Sequence, residues 1–232
     1  MKIGLLECDD VVGRFAHIKG GYREMFAALL PGFAFRYYES HRGQIPASPS
    51  ECDAWIATGS KHAVYEGHGW VADLSGFVRE VKIEQRPFVG ICFGHQLLAH
   101  ALSGEVAKAR QGWGAGVLPV EVLKQEPWMQ PAKAEIRIQH MHQDQVRRLP
   151  EGSVLLGRSP HCDVGMFRVG QSMLGIEGHP EFTREFGAAL IESRRSRIGT
   201  APAEEALKSL ERPNDGKTVG AWIGRFIRGV RR

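Results

Sequence analysis

Along this chain, short continuous apolar runs alternate with longer amphipathic stretches. The run 2-KIGLL-6 predicts a first strand, and 22-YREMFAALL-30, apolar at helical spacing, predicts a helix stopped by Pro31-Gly32. Strands are then expected at 33-FAFRYYE-39 and 53-DAWIATGS-60, and an amphipathic helix at 69-GWVADLSGFVREVK-82. A strand at 87-PFVGI-91 and a helix over 93–103 follow. Unbroken apolar runs of this length mark strands covered on both faces. Strands alternating with helices imply right-handed crossovers and a parallel sheet.

After Gly104 the helical period disappears. The segments 116-GVLPVEVL-123, 134-AEIRIQ-139, 153-SVLLGRS-159, 164-VGMFRVG-170 and 173-MLGIEG-178 are separated by turns with no clear helix, which predicts antiparallel strands beside or extending the parallel sheet. Helix returns at 182-FTREFGAALIESRRSR-197, near 203–211 and at 218–229. The expectation is a single α/β domain over residues 1–232. It is flavodoxin-like and three-layered, with a central, mostly parallel sheet, a β-rich antiparallel extension and a C-terminal helical extension from about residue 200. In that extension Val219, Trp222, Ile223, Phe226, Ile227 and Val230 share one helical face. Such a stripe packs on its own domain more often than on a membrane or a partner.

Composition narrows the function classes. Apolar content of 43% and charged content of 24% are those of an ordinary globular protein, and no apolar run reaches about eighteen residues. The N-terminus meets Cys8, Asp9 and Asp10 too early for a signal peptide, so a cytoplasmic protein is expected, without a membrane partner. The net charge of +4 is mild, and apart from 194-RRSR-197 and 225-RFIRGVRR-232 the basic residues are mixed with acids; no nucleic-acid partner is expected. The cysteines, Cys8, Cys52, Cys92 and Cys162, are far apart and read as reduced thiols. No histidine–carboxylate set stands at helical ligand spacing, so neither a metal nor another cofactor is expected.

Candidate chemistry centres on 90-GICFG-94, where the strand turns into a helix. A nucleophile on so sharp a turn needs small residues two places before and after it, as in the G-x-S-x-G elbow. A thiol at a helix N-terminus is also expected to have its pKa lowered by the unpaired N–H groups and the dipole. A buried core cysteine beside a tight βα turn is the plain alternative. A cysteine nucleophile requires an imidazole and a third group to orient it. The strand-end segment 178-GHPE-181 supplies both types, His179 and Glu181, two residues apart on a proline-restricted turn. Taken alone, that segment would more often be a solvated surface turn.

Together, G-I-C-F-G-H-Q and the later G-H-P-E resemble the class I, triad-type glutamine amidotransferases, from the first strand to the helix after Glu181. The chain is similar above all to stand-alone, GMP-synthase-like members, and also to γ-glutamyl peptidases. The resemblance implies Cys92 as nucleophile, His179 as general base and then acid, and Glu181 as its orienter. It also implies an oxyanion hole of backbone N–H groups from Phe93 and from the turn at Gly59 and Ser60. Gln96 matches the glutamine that contacts substrate, while Met141 and His142, in 140-HMHQD-144, match the stretch facing the substrate α-carboxylate.

The usual Ser-Gly-Gly-Pro turn is here Thr58-Gly59-Ser60-Lys61, which would be strained if Ser60 required positive φ. Such a turn resembles that of relatives cleaving γ-glutamyl peptides, whose leaving group is bulkier. The leading expectation is hydrolysis of the glutamine side-chain amide through a γ-glutamyl thioester, releasing ammonia and glutamate. A separate synthetase chain is then a possible ammonia acceptor. The alternatives are a γ-glutamyl peptidase and a catalytically silent binding or regulatory protein on the same fold.

Overall fold

The computed structural model describes residues 1–10, 15, 18 and 21–230. Most of the loop expected after the first strand lies outside these residues, as do Arg231 and Arg232 of the terminal basic run. The first half alternates as the apolar pattern predicts: β1 (Lys2–Leu6), α1 (Tyr22–Leu29), β2 (Ala34–Tyr38), β3 (Ala54–Ala57), α2 (Gly69–Ile83), β4 (Phe88–Ile91) and α3 (Phe93–Ala101). Then come β5 (Glu105–Lys108), β6 (Gly114–Val122), β7 (Glu135–His142), β8 (Asp144–Arg148), β9 (Ser153–Arg158), β10 (Met166–Val169) and β11 (Met173–Ile176). Four helices follow: α4 (Arg184–Ser193), the short α5 (Arg195–Ile198), α6 (Thr200–Ser209) and α7 (Gly216–Gly229).

Nine strands form one sheet in the order β2-β1-β3-β4-β11-β10-β9-β6-β7. β2, β1, β3, β4 and β11 run parallel, and the remaining pairs are antiparallel. The fold is thus a mixed α/β one whose sheet has a parallel half, from β2 to β11, and an antiparallel extension. One strand departs from expectation: the turn-separated pattern groups β11 with the antiparallel segments, yet it lies parallel to β4, Gly175 opposite Gly90. Two more strands, β5 and β8, form a separate antiparallel pair that the apolar pattern does not reveal.

Side chains alternate across the central strands, and each face carries its own core. Ile3, Leu5, Ile56, Val89 and Ile91 pack with Phe26 of α1 and with Val219, Trp222, Ile223, Phe226 and Ile227 of α7. Leu6, Trp55, Ala57 and Phe88 face the opposite layer, with Leu74, Phe77 and Val78 of α2 and Leu97 and Leu98 of α3. The apolar stripe of α7 is therefore buried against α1 and the sheet, and the Trp222 indole N–H donates to the Pro131 carbonyl at 3.0 Å. Among the described residues no helix is long and apolar enough to cross a membrane.

At the β4–α3 turn backbone packs directly on backbone. A Cβ on Gly90 would stand 2.2 Å from the Gly94 carbonyl oxygen, and one on Gly94 would stand 2.3 Å from the Ala57 oxygen on β3. Both obstacles are backbone and cannot swing aside. Gly90→Ala is therefore expected to cost about 3 kcal/mol or more, at or beyond the upper end of typical overpacking, and to lower the urea midpoint accordingly. Gly69→Ala, at the start of α2 in open space, is expected to leave that midpoint unchanged or slightly raised.

Candidate functional site

Cys92 caps α3 with φ 51° and ψ −103°, one of three non-glycine residues with left-handed φ among those described; the others are Gln85 and Ser103. A residue held this way costs on the order of 1–3 kcal/mol and persists only where its surroundings enforce it. Here the Cys92 N–H donates to the Ile176 carbonyl at 2.9 Å, and the Gly94 N–H donates to Thr58 O at 3.2 Å. The elbow is thereby tied to β11 on one side and to the β3 turn on the other.

His179 and Glu181 follow β11, which the parallel pairing sets beside β4. The two side chains are bonded, His179 Nδ1 to Glu181 Oε1 at 2.8 Å, and both are buried. With Nδ1 held as the N–H, a neutral ring leaves Nε2 as acceptor. The ring stacks on Phe182 at 3.8 Å between centroids, and the His179 N–H donates to the Gln139 carbonyl at 2.7 Å. Position and tautomer are both constrained.

Two cavities meet at Cys92. One, of about 380 Å³, is lined by His179, Tyr22, Phe182 and Phe186. The other, of about 140 Å³, is lined by Phe93, Gln96, His142 and Asp144. Ser60, Lys61, Met141, Arg194 and Arg197 border both. Both guanidinium groups lie over the Trp113 ring, Arg194 at 5.7 Å and Arg197 at 5.3 Å. The structure thus gathers Cys92, His179, Ser60, Phe93, Gln96, Met141 and His142 around one cleft, with Glu181 behind His179.

The Phe93 N–H, next in the chain, acts to lower the pKa of the Cys92 thiol. Gly59 packs so close to the imidazole that a Cβ there would be 2.8 Å from His179 Cε1. Ser60 does not have positive φ, so the Thr-Gly-Ser turn holds a non-glycine residue without left-handed strain. That turn is fastened by Thr58, whose Oγ1 accepts the Cys8 N–H at 3.0 Å and donates to Gly59 O at 3.0 Å.

Sequence reasoning missed Glu177. This fully buried carboxyl accepts a hydrogen bond from Gln96 Nε2 at 2.8 Å, while the same nitrogen donates to Asp144 O at 2.9 Å. Glu177 Oε2 also stands 3.2 Å from His95 Nε2. Burial raises the Glu177 carboxyl well above the usual carboxylate range, although the Gln96 bond opposes this. Burial also draws His95 and His140 down to about 3, which keeps these imidazoles neutral. An acid ending the apolar strand MLGIEG was the available signal. A second omission is the connection 61–68, where His62 and Glu66, four residues apart in a loop rather than on a helix, converge with His68.

The expected lowering of the thiol pKa is reversed. Burial pushes the Cys92 thiol well above its ordinary range, and the neighbouring acids Glu177 and Glu181 act in the same direction. Arg194 and the Phe93 N–H oppose the shift without overturning it. At 5% exposure the thiol is too desolvated for the helix N-terminus to prevail. All four cysteines are free and buried.

The profile of the glutamine amidotransferase class-I family matches residues 50–194. The chain is 31% identical to γ-glutamyl peptidase 4 of Arabidopsis thaliana over 183 residues, covering 75% of this chain and 72% of the relative. It is 28% identical to a glutamine amidotransferase-like protein of Schizosaccharomyces pombe, across 97% of this chain and 98% of that one. A glutamine amidotransferase structure from Thermotoga maritima superposes with a TM-score of 0.76 at 20% identity, covering 97% of each chain. A cysteine elbow and a histidine bonded to a glutamate thus meet at one cleft at the strand ends of an α/β sheet. This chain belongs to the class I glutamine amidotransferase family, whose members among its relatives act on C–N amide bonds.

A raised thiol pKa has a measurable sign. Alkylation of Cys92 by iodoacetamide, mapped by peptide mass spectrometry, should be slower at pH 7 than that of a free cysteine peptide. It should keep accelerating beyond about pH 10, where an ordinary thiol, with a pKa of about 8.5, has levelled off.

Proposed function

We propose that this protein hydrolyses γ-glutamyl C–N bonds through a Cys92 thioester, with a leaving group larger than ammonia. Because burial disfavours the thiolate, the reaction begins with proton transfer from Cys92 Sγ to His179 Nε2 as sulfur attacks the γ-carbonyl carbon. The negative charge gathers on the former carbonyl oxygen, where backbone N–H groups of Phe93 and of Gly59 or Ser60 stabilise it. Donors of this kind are worth about 10²–10³ in rate each. The C–N bond then breaks, and His179 returns its proton to the departing nitrogen. Water, deprotonated by His179, attacks the thioester, releasing glutamate and the neutral thiol. Glu181 holds the His179 tautomer throughout.

In this reading Gln96 contacts the glutamyl group. Its Nε2 is committed to Asp144 and Glu177, so it offers the ligand Oε1 as an acceptor, suited to an ammonium or amide N–H. Met141 and His142 border the same pocket and would face the α-carboxylate.

The observation that carries the leaving-group assignment is the 380 Å³ cavity on the His179 side. The leaving nitrogen must depart toward the group that protonates it. A water-sized molecule such as ammonia needs only about 10–15 Å³ of such space. Arg194 and Arg197 at its border suit a leaving group bearing a carboxylate, as the amino acid or peptide released from a γ-glutamyl peptide does, whereas Lys61 is paired with Asp9, which lines the same cavity together with Asp10. The resemblance to γ-glutamyl peptidase 4 supports the same choice.

Free glutamine, with ammonia passed to a separate synthetase chain, is the second reading. It is favoured by 35% identity over 109 residues to the glutamine-hydrolysing GMP synthase component of Archaeoglobus fulgidus, a match that covers 46% of this chain and 59% of that one. Glutamate release from a panel of γ-glutamyl dipeptides and from glutamine separates the two. The best dipeptide is expected to exceed glutamine in kcat/KM by at least about tenfold, and Cys92→Ser to abolish release from both. Glutamine turned over as fast as every dipeptide would refute the larger leaving group. An undiminished Cys92→Ser variant would remove the proposed nucleophile.

A further inference from the structure

The connection between β3 and α2 brings together three side chains with no part in the thioester chemistry. His62 Nδ1 lies 3.0 Å from Glu66 Oε2, His68 Nε2 lies 3.1 Å from that same oxygen, and the two ring nitrogens are 3.1 Å apart. The rings meet edge to face at 72°. The three donor atoms therefore form a nearly equilateral triangle.

Hydrogen bonds alone cannot satisfy all three sides. If both imidazoles donate to Glu66, two N–H groups face each other across 3.1 Å. If His68 instead donates to His62, the His62 lone pair faces the carboxylate at 3.0 Å. Every arrangement of two neutral rings leaves one repulsive contact. A cation above the triangle satisfies all three lone pairs together.

The dimensions fit such a cation. Metal–ligand bonds of about 2.0–2.1 Å place ligand atoms about 2.9–3.4 Å apart, between right-angled and tetrahedral limits. The ion would then lie about 1 Å off the ligand plane, its remaining position or positions open to solvent or to the cleft. Although partial burial raises the Glu66 carboxyl, hydrogen bonds from His62, the Ala63 N–H and His68 bring it below the ordinary carboxylate range. Two imidazoles and one carboxylate select a first-row divalent metal over magnesium or calcium, which favour all-oxygen sets.

We propose that His62 Nδ1, Glu66 Oε2 and His68 Nε2 form a binding site for one zinc-class divalent cation in the wall of the acyl cleft. His62 and Glu66 border the smaller cavity at Cys92, and the His62 N–H donates to Ser60 Oγ at 3.2 Å. His68 precedes α2 and stacks on Trp70, which in turn packs on Phe93 at 5.4 Å. A bound ion would therefore clamp the segment leading out of the Ser60 turn against the residue that follows the nucleophile. Its role is to hold that connection, and no step of the hydrolysis passes through it.

The test is calorimetric titration of zinc chloride into untagged, full-length protein previously stripped with chelator and dialysed. One equivalent should bind, with a dissociation constant on the order of micromolar or tighter. Cys92→Ser should bind alike, excluding the active-site thiol as the ligand. Glu66→Gln should weaken binding about 10-fold or more, and His62→Ala/His68→Ala at least about 100-fold, with circular dichroism confirming that both variants are folded. Zinc should also raise the melting temperature of the parent and of Cys92→Ser but not of the double variant. No uptake by the parent at millimolar zinc, or undiminished uptake by the folded double variant, would overturn the site.

Discussion

The contact between the β4–α3 turn and the backbone of β3 is the constraint on which the rest of the structure depends. Gly94 can approach the Ala57 carbonyl, and Gly90 can pass under Gly94, only because neither has a side chain. That approach lets Gly94 donate to Thr58 O, which binds the elbow to the turn bearing Gly59 and Ser60. Parallel pairing of β11 with β4 then places His179 and Glu181 beyond the neighbouring strand end. Cys92, the turn at Gly59 and Ser60, and His179 thus stand at the C-terminal ends of adjacent strands of one sheet. Left-handed φ at Cys92 is the local cost of this arrangement.

Burial determines how the site must operate. A solvent-exposed thiol on a helix N-terminus would ionise readily, but this one is buried, which together with Glu177 and Glu181 raises its pKa. In the proposed mechanism proton removal is therefore coupled to attack, and the orientation of His179 matters more than its charge. That orientation has three independent supports: the Glu181 hydrogen bond, the Phe182 stack and the backbone bond to Gln139. Gln96 is restrained in the same way by Glu177 and Asp144, so the two side chains proposed to meet substrate have little freedom left to lose.

Much of this was legible before any coordinates, for identifiable reasons. The central strands are unbroken apolar runs, and the Gly90-x-Cys92-x-Gly94 spacing follows from a steric requirement that the structure reproduces atom by atom. Strand direction was not legible: Met173–Ile176 is simply apolar, and nothing in four such residues says which way they run. Glu105–Lys108 and Asp144–Arg148 are short and carry many polar residues, so they lack an apolar signature. Glu177 was hidden because its partners, Gln96 and His95, are remote in sequence. His62, Glu66 and His68 escaped notice because a loop, not a helical face, brings their ligand atoms together. The direction of the thiol shift was not legible either, because a dipole can be read from sequence and desolvation cannot.

The most direct test is to trap the covalent intermediate. Protein mixed with a γ-glutamyl peptide, quenched in acid within its first turnover and digested, should carry a γ-glutamyl group on the peptide containing Cys92. The adduct should be labile to hydroxylamine, as a thioester is, and absent from Cys92→Ser. Rapid glutamate release with no adduct at Cys92, or an adduct on another residue, would contradict nucleophilic catalysis at this elbow.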